Sequence, residues 1–278
     1  MAPKTILISG ATSGIGQAAA LALAGQGHRL VLLARNPKRA EMTINQIANQ
    51  TGNQDIEVIA CDLASLASVR EAARQFGQRP LDVLINNAGG IRRERQLGPE
   101  GLEWTFTVNH LAPLLLTHLL VDQLAAAAPA RVIHTVSAGE RSGKIDFGNL
   151  NGEQRYSMFA AYCNAKLAET MCTFVLAEKL QTQGIAVNCV HPGVVRTRFG
   201  EDSGWLMQLM SKLVYPFLLS PEQGAQTLVY LATSPEAKGI TGKYWEKGKA
   251  VPSSPRSLDA EIGRQLYAVS LEKVGLPK

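Results

Sequence analysis

The feature that most constrains the fold is a run of glycines directly after a short apolar segment. Residues 4–9 predict a buried strand, and Gly10-Ala11-Thr12-Ser13-Gly14-Ile15-Gly16 follows at once, ahead of an Ala- and Leu-rich run over residues 17–25. Glycines let the main chain approach a ligand closely, and a helix N-terminus presents unpaired N–H groups to phosphate. The segment therefore predicts a site for a dinucleotide, and the alternative is a tight glycine turn without a ligand. The candidate contacts are Gly10, Ser13, Gly14, Ile15 and Gly16.

The rest of the chain continues the alternation of strand-like and helix-like segments. Apolar runs typical of strands buried on both faces occupy about 4–9, 29–34, 56–61, 81–85, 131–136, 185–190 and 242–246. Repeated right-handed crossovers predict an α/β fold, a doubly wound (Rossmann) parallel sheet of about seven strands with helices on both faces. No change of composition marks a linker, so we expect a single domain over residues 1–278.

A tyrosine and a lysine four residues apart form a second candidate site. Tyr162 and Lys166 lie in a segment with helical periodicity, so the phenol and the ammonium share one helix face. A tyrosine hydroxyl titrates near ~10, and a cation beside it stabilises the phenolate and eases proton exchange with a substrate oxygen. The pair is a candidate proton donor, although the spacing alone fits a solvated helix face better.

Four motifs together resemble the short-chain dehydrogenase/reductase family over nearly the whole chain. They are the glycine segment, Asn86-Asn87-Ala88-Gly89 after an apolar strand, Ser137 at a strand end, and the Tyr162/Lys166 pair. Further segments look like the retinol dehydrogenase branch, namely Val108-Asn109-His110-Leu111, His191-Pro192-Gly193 and Gly242-Lys243-Tyr244-Trp245. The chain departs from that branch at Val136-Ser137, where two serines are usual. The resemblance implies a cofactor half at about 1–135, a catalytic and substrate-lid half at about 136–250, and a C-terminal extension at 251–278.

The resemblance also implies the catalytic residues. Tyr162 would exchange a proton with the substrate oxygen as hydride moves to or from the nicotinamide. Ser137 would hold that oxygen, although a turn serine at a strand end is its alternative. Lys166 would lower the pKa of Tyr162 and bind the nicotinamide ribose. The implied set is Asn109, Ser137, Tyr162 and Lys166.

Asn109 matches a family asparagine that joins the catalytic groups to a water relay. Pro113 stands four residues further on and has no N–H, so the Asn109 carbonyl loses its normal helical donor. We therefore expect a local helix distortion and a water between that oxygen and the Lys166 ammonium. The alternative is that Asn109 is solvated or locally bonded.

The choice of cofactor depends on the end of the second strand. No acid closes Arg29-Leu30-Val31-Leu32-Leu33-Ala34-Arg35, where an Asp or Glu would hold the ribose 2′-hydroxyl of NAD. Arg35 fits a 2′-phosphate instead, so the sequence favours NADP(H), and the alternative is an exposed arginine at a strand end. Lys38 and Arg39 would either assist Arg35 or be solvated.

Further cofactor contacts are implied by the resemblance alone. Asp62 and Leu63 resemble the contact with the edge of the adenine, and a helix-capping Asp is the alternative for residue 62. The remaining contacts would be Asn87, Ala88, Gly89, Tyr162, Lys166, Pro192, Gly193, Val195 and Thr197. The apolar segment 204–219 predicts a substrate lid at a lipophilic entrance, and ordinary helix packing or peripheral contact with a membrane surface are its alternatives.

The composition limits the kinds of ligand and macromolecular partner that we expect. The formal charge of +5 suits anionic ligands, but the chain has no basic block of the kind that marks a nucleic-acid site.

The scattered histidines and four cysteines have no metal-ligand spacing, so we expect no metal and reduced thiols. No apolar run reaches the ~18 residues of a membrane helix, and the first strand begins near residue 4, so we expect no transmembrane anchor and a cytoplasmic location. The resemblance to the family also suggests a homodimer, in which the subunits pair through the helices that carry Asn109 and Tyr162.

Together with these observations, the family resemblance implies an oxidoreductase that prefers NADPH and interconverts a carbonyl and an alcohol on a lipophilic, retinal-like or other aldehyde or ketone substrate. The alternative is a protein that binds NADP(H) without chemistry and acts as a sensor or interaction partner. Loss of the serine, tyrosine or lysine would favour that alternative, and all three are present.

Overall fold

A single mostly parallel sheet forms the centre of the protein in this computed structural model, which describes residues 2–195 and 218–277. Its strand order is β3-β2-β1-β4-β5-β6-β7-β8, and only β8 is antiparallel to its neighbour. The strands are β1 Thr5–Ser9, β2 Arg29–Ala34, β3 Ile56–Ala60, β4 Val83–Asn86, β5 Ala130–Thr135, β6 Ile185–His191, β7 Tyr244–Glu246 and β8 Lys249–Val251. The predicted α/β sheet is confirmed.

The eighth strand corrects the predicted count of about seven. Lys247 and Gly248 both have positive φ, which is the backbone of a two-residue hairpin turn, and they return the chain antiparallel along β7. Lys249–Val251 is short and mostly exposed, so it lacks the apolar run from which the other strands were predicted.

Helices cover both faces of the sheet. They are α1 Gly14–Gly25, α2 Pro37–Thr51, α3 Leu66–Phe76, α4 Trp104–Phe106, α5 Ala112–Leu119, α6 Val121–Ala126, α7 Met158–Leu180, α8 Pro221–Thr233 and α9 Ala260–Lys273. Several begin at residues that cap a helix well, since Asn36 caps α2 ahead of Pro37, and Ser220 and Gln223 form a capping box on α8. Among the helices described, none is long and apolar enough to cross a membrane.

The core has two apolar layers because strand side chains alternate between the faces of the sheet. Ile6 and Ile8 of β1 pack with residues of α1 and α8 on one side. Leu7 packs with α3, α5, α7 and α9 on the other side. The inner strands β1, β2, β4, β5 and β6 are thus buried on both faces, as the near-continuous apolar runs predict.

The region predicted as a C-terminal extension contributes to this core. Leu266, Tyr267 and Leu271 of α9 belong to the same buried cluster as α7. The Tyr267 hydroxyl lies 2.8 Å from His118 Nε2, and the Ser270 hydroxyl lies 2.8 Å from His110 Nε2. The last helix therefore stabilises the helices that carry the candidate site.

The strand order places a crevice above β1 and β4. From β1 the chain proceeds outward to β2 and β3, and it then returns to the other side of β1 as β4. The helices that follow β1 and β4 pack on opposite faces of the sheet, and a reversal of this kind leaves a crevice beyond the carboxyl ends of the strands. The segments after β1, β4, β5 and β6 all lie at this edge.

Candidate active site

The glycine segment packs so closely against the end of β4 that side chains would not fit. A Cβ on Gly10, which has φ +70°, would lie 2.8 Å from Ala88 Cα. A Cβ on Gly16 would lie 2.3 Å from the Gly10 carbonyl oxygen and 2.4 Å from Asn87 Nδ2. Gly14 also has positive φ, at +54°. This close packing brings main chain, rather than side chains, to the edge of the crevice.

Ser13 stands at the N-cap of α1 without capping it. Its backbone is extended, and its side chain makes no hydrogen bond to the first turn of the helix. The hydroxyl and the first N–H groups of α1 are therefore available to an anionic ligand such as a pyrophosphate. Ile15 follows at the start of the same helix.

Asn87 fastens β4 to β1. Its backbone N–H and that of Ala88 donate to Ser9 Oγ at 3.0 and 3.1 Å, and its side-chain Nδ2 donates to the Ser9 carbonyl at 3.2 Å. The Asn87 side chain is thus occupied by the protein itself, so a cofactor would contact the main chain here. Ser9, the buried link, was not among the predicted site residues because it looks like an ordinary strand-end serine.

The side chain of Asn109 is buried, and both of its polar atoms form hydrogen bonds with the protein. Its Nδ2 donates to the carbonyl oxygens of Gly90 and Thr105, both at 2.7 Å, and its Oδ1 accepts from the Gly90 N–H at 3.2 Å. A Cβ on Gly89 would lie 2.7 Å from Asn109 Oδ1 and 3.7 Å from Lys166 Nζ. Asn109, Gly89 and Lys166 therefore meet at this point.

The helix around Asn109 is distorted, as Pro113 predicts. Residues Thr107–Leu111 form a wide π turn between α4 and α5, and the Ala112 N–H donates to the Thr107 carbonyl five residues back. Such single turns interrupt helices at functional sites. The distortion is confirmed, whereas the water between the Asn109 carbonyl and Lys166 stays a prediction.

We expect Pro113→Ala to slow turnover without weakening NADPH binding. The new N–H can restore a regular helical donor to the Asn109 carbonyl and so displace the predicted water. The decrease in kcat should be smaller than the ~100-fold that marks loss of an acid or base itself. Steady-state kinetics and NADPH fluorescence titration measure the two quantities. An unchanged kcat would leave Asn109 with a structural role only.

Ser137 lies next to Tyr162 at the end of β5. It is the N-cap of a 3₁₀ turn, Ala138–Ser142, and its Oγ accepts from the Gly139 N–H at 3.2 Å. A Cβ on Gly139 would lie 3.5 Å from both Ser137 Oγ and the Tyr162 ring, so no side chain separates these two. The Ser137 hydroxyl also forms a hydrogen bond with the Tyr162 hydroxyl, so a substrate oxygen bound here would meet both groups.

Tyr162 and Lys166 share one face of α7, as their spacing predicts. Burial raises the pKa of the Tyr162 hydroxyl above its ordinary value, while the Lys166 ammonium and a hydrogen bond with Ser137 act to lower it. The prediction that Lys166 lowers this pKa is right in sign, but burial outweighs it. The positive charge of a bound nicotinamide would add to the lowering.

Lys166 is held by two acceptors that the sequence did not suggest. Its Nζ donates to the Thr135 carbonyl and to Glu169 Oε2, both at 2.7 Å. Glu169 was not among the predicted residues, although its position three residues after Lys166 is a helical neighbour spacing that could have identified it. The buried ammonium therefore has a fixed position beside Tyr162.

Cationic side chains surround the carboxyl end of β2. Arg35 is exposed directly after the strand, and Lys38 and Arg39 are exposed in the first turn of α2. The helix N-terminus adds a partial positive charge at the same place. These groups can hold an anion such as a 2′-phosphate.

Asp62 does not cap a helix. Its Oδ1 accepts from the Ala64 N–H at 3.0 Å and forms a local turn, whereas Ser65 caps α3. The capping alternative is therefore wrong. Leu63 is buried beside it. The predicted contact of these two residues with an adenine stays a prediction.

The segment after β6 approaches the glycine loop. Gly193 has φ +86°, and a Cβ there would lie 2.5 Å from Leu219 Cδ1. A Cβ on Gly224 would meet Val195 Cγ2 at 2.7 Å and Ile15 Cγ1 at 3.2 Å, so Val195 and Ile15 converge at the start of α8. Pro192 and Val195 therefore lie at the same edge as the glycine segment. Thr197 and residues 204–217 of the predicted lid lie outside the described residues.

Comparison with known proteins identifies this arrangement. The profile of the short chain dehydrogenase family matches residues 4–204. Human retinol dehydrogenase 13 is 38% identical over 281 positions, which cover 98% of this chain and 85% of that protein.

Two solved structures share the fold. An uncharacterized protein of Mycobacterium paratuberculosis is 28% identical with a TM-score of 0.79, covering 98% of this chain and 94% of that one. Pseudomonas aeruginosa RhlG in complex with NADP is 25% identical with a TM-score of 0.71, covering 88% and 95%. The chain therefore belongs to the short-chain dehydrogenase/reductase family, in its retinol-dehydrogenase-like branch, and is an oxidoreductase of alcohol and carbonyl groups.

Proposed function

We propose that the protein is an NADPH-preferring reductase of lipophilic aldehydes or ketones, and that the reaction is centred on Tyr162. The observation that carries this proposal is the meeting of Ser137, Tyr162 and Lys166 at the sheet edge where the glycine segment lies. A hydrogen-bonded hydroxyl and a phenol beside a fixed ammonium suit proton transfer to a developing alkoxide.

The hydrogen-bond donors of Ser137, Tyr162 and Lys166 determine the role that each residue would have in the reaction. Ser137 donates to the carbonyl oxygen of the substrate and orients it. Tyr162 gives its hydroxyl proton to the same oxygen, and Lys166 stabilises the phenolate that results. When bound at the glycine segment, NADPH would supply the hydride to the carbonyl carbon, and the products would be an alcohol and NADP⁺. A proton from solvent, delivered along the predicted water relay at Asn109, restores Tyr162.

The glycine segment fits the pyrophosphate of this cofactor. Gly10 and Gly16 leave no room for side chains, and Ser13 and the first turn of α1 offer unused donors. These are the groups that bind phosphate oxygens at a helix N-terminus. Ala88 and Gly89 border the same crevice through their main chain.

Preference for NADPH is proposed from the charges at β2. Arg35, Lys38 and Arg39 are exposed, and the strand ends without an acid that would hold a 2′-hydroxyl. A guanidinium forms strong charge-assisted hydrogen bonds with a phosphate, whereas the 2′-hydroxyl of NADH offers it no charge. The similar RhlG was solved with NADP.

We expect the unmutated protein to prefer NADPH over NADH by at least about tenfold in kcat/KM, roughly 1.4 kcal/mol. Ala34→Asp combined with Arg35→Ser should shift the preference towards NADH, because it removes the cation from the 2′-phosphate and supplies an acceptor to the 2′-hydroxyl. Kinetics with each cofactor at a fixed carbonyl substrate measure the ratio.

A matched control separates local contact from overall charge. Arg264→Ser, at an exposed position of α9, removes one positive charge more than 200 residues after Arg35 in the sequence. It should leave the ratio of kcat/KM with NADPH to kcat/KM with NADH unchanged. Lys38→Ser and Arg39→Ser, tested singly, show whether either cation assists Arg35. A wild-type preference for NADH would contradict the cofactor assignment.

A lipophilic substrate is proposed from exposed apolar residues near the site. Phe159 lies one turn before Tyr162 on α7 and is 59% exposed, and Val194 follows Gly193 and is 68% exposed. Exposed apolar groups beside a catalytic centre suit a hydrophobic substrate. The human relative is named a retinol dehydrogenase, and retinol is itself a lipophilic alcohol.

A substrate panel tests the function. Propanal, decanal, all-trans-retinal and a polycyclic ketone are each incubated with NADPH, and oxidation of the cofactor is followed by absorbance. We expect the long and polycyclic compounds to have lower KM than propanal. Absence of turnover with every carbonyl compound, together with retained NADPH binding, would instead support the sensor alternative.

A further inference from the structure

A buried carboxylate holds the Lys166 ammonium. Glu169 Oε2 lies 2.7 Å from Lys166 Nζ, and the two side chains are only 3% and 4% exposed. Lys166 also donates to the Thr135 carbonyl, so two of its three N–H bonds point to fixed acceptors on the protein. The third is left for the cofactor or a water.

Other ionisable groups lie around this carboxylate. His134 Nδ1, on β5, is 3.6 Å from Glu169 Oε1, and neither ring nitrogen of His134 has a hydrogen-bond partner among the described residues. The described groups that interact with the pair are Tyr162 and Cys172 on α7, His134 on β5, His110 on the π turn and Cys189 on β6.

The negative charge of Glu169 opposes the effect of Lys166 on Tyr162. Burial is the main cause of the raised pKa of Tyr162, and the Glu169 carboxylate raises it further, while Lys166 lowers it. In a buried site, charges act over longer distances than in water because the dielectric constant is low. Lys166 with a paired carboxylate is therefore a weaker stabiliser of the phenolate than Lys166 alone.

We propose that Glu169 is a positioning residue of the proposed reaction, which fixes the Lys166 ammonium against Thr135 and, by its charge, keeps the Tyr162 hydroxyl protonated over a wider pH range. This inference rests on the proposed function and adds the direction of the reaction that the site favours. A protonated Tyr162 is the form that donates to a carbonyl oxygen, so the pair favours reduction. Alcohol oxidation requires the phenolate as base and therefore needs higher pH.

Glu169→Gln tests the charge with nearly unchanged shape. The amide oxygen can still accept from Lys166 Nζ, but the negative charge is gone. Since kcat/KM for alcohol oxidation rises with pH through the pKa of Tyr162, the rise should move to lower pH by about one unit, the lower end of the effect of a neighbouring charge. The alkaline decrease of carbonyl reduction should move in the same direction.

Two further variants separate charge from packing. Glu169→Asp keeps the charge in a shorter side chain, so its pH profile should stay closer to wild type than that of Glu169→Gln. A purely structural role predicts the reverse order, because aspartate leaves a cavity and glutamine does not. Glu178→Gln makes the same substitution at an exposed position of the same helix and should change nothing.

A second measurement does not require turnover. Ionisation of Tyr162 is followed by phenolate absorbance in the NADP⁺ complex, as the difference between each protein and the same protein carrying Tyr162→Phe. We expect the Tyr162 transition to lie at lower pH in Glu169→Gln than in wild type. If no carbonyl compound is turned over, the proposed function fails, and this titration still decides the role of Glu169.

Two outcomes would overturn the inference. In the first, the Tyr162 transition of Glu169→Gln does not move or moves to higher pH. In the second, Glu169→Asp changes the pH profile more than Glu169→Gln does. If Glu169→Gln does not fold, a crystal structure of the wild-type NADP⁺ complex decides. Contact between Glu169 and Lys166 Nζ supports the role, and separation beyond hydrogen-bond distance overturns it.

Discussion

Tyr162→Phe is expected to lower kcat by about two to four orders of magnitude, the usual scale for loss of a general acid or base. The substitution removes one oxygen from a partly buried ring, so the fold and the crevice should be preserved. NADPH affinity should be unchanged, because the predicted phosphate contacts come from the glycine segment and α1. Single-turnover and steady-state kinetics, with fluorescence titration of NADPH, measure the two effects separately.

A second tyrosine in the same region provides the matched control. The Tyr156 hydroxyl donates to the Arg92 carbonyl at 2.8 Å and lies 3.4 Å from Thr105 Oγ1. Tyr156→Phe therefore removes a structural hydrogen bond worth about 1 kcal/mol of stability and should leave kcat near wild type. Comparable activity of the wild-type and Tyr162→Phe proteins would exclude Tyr162 from the mechanism.

Strong local signals explain why the sheet and the main site were predictable. The apolar runs of β1, β2 and β6 are buried on both faces, and no other element accommodates such short runs between turn residues as well. The glycine segment and the Tyr162/Lys166 pair each span only a few residues, so their local geometry can be predicted from the sequence alone. The tertiary structure then determines only which strand ends lie next to each other.

The missed features depend on contacts between distant segments. Ser9 links β1 to Asn87 across 78 positions of sequence, and nothing in its own neighbourhood marks it. The burial of Glu169 depends on β5 and α7 packing together, so the sequence shows only an acid three residues after Lys166. The net direction of the Tyr162 pKa likewise depends on burial, which is a property of the folded protein. Pairwise spacing correctly identified the neighbours but could not weigh their effects.

Close backbone contact makes Gly16 the most sensitive position of the proposed cofactor site. The nearest atoms to a Cβ at residue 16 are the Gly10 carbonyl oxygen at 2.3 Å and Asn87 Nδ2 at 2.4 Å. The first belongs to the main chain of the loop, and the second already donates to Ser9. Neither can withdraw without moving the loop or the β1–β4 junction. Gly25, at the end of the same helix, has only Thr51 Cγ2 near its Cβ position, at an ordinary 3.7 Å.

Gly16→Ala is therefore expected to weaken NADPH binding by about 10- to 100-fold, since forcing one methyl into a packed site costs about 1–3 kcal/mol. The cost should fall on binding because the loop must shift away from the position at which its N–H groups meet the pyrophosphate. Gly25→Ala makes the same change in the same helix without a clash and should bind NADPH as the wild type does, with equal or slightly higher thermal stability. Calorimetric titration and thermal unfolding of the three proteins, with and without NADPH, provide the measurement. Equal affinity of Gly16→Ala and Gly25→Ala would show that the cofactor does not bind along the glycine segment, and the assignment of Gly10, Ser13 and α1 to its pyrophosphate would be wrong.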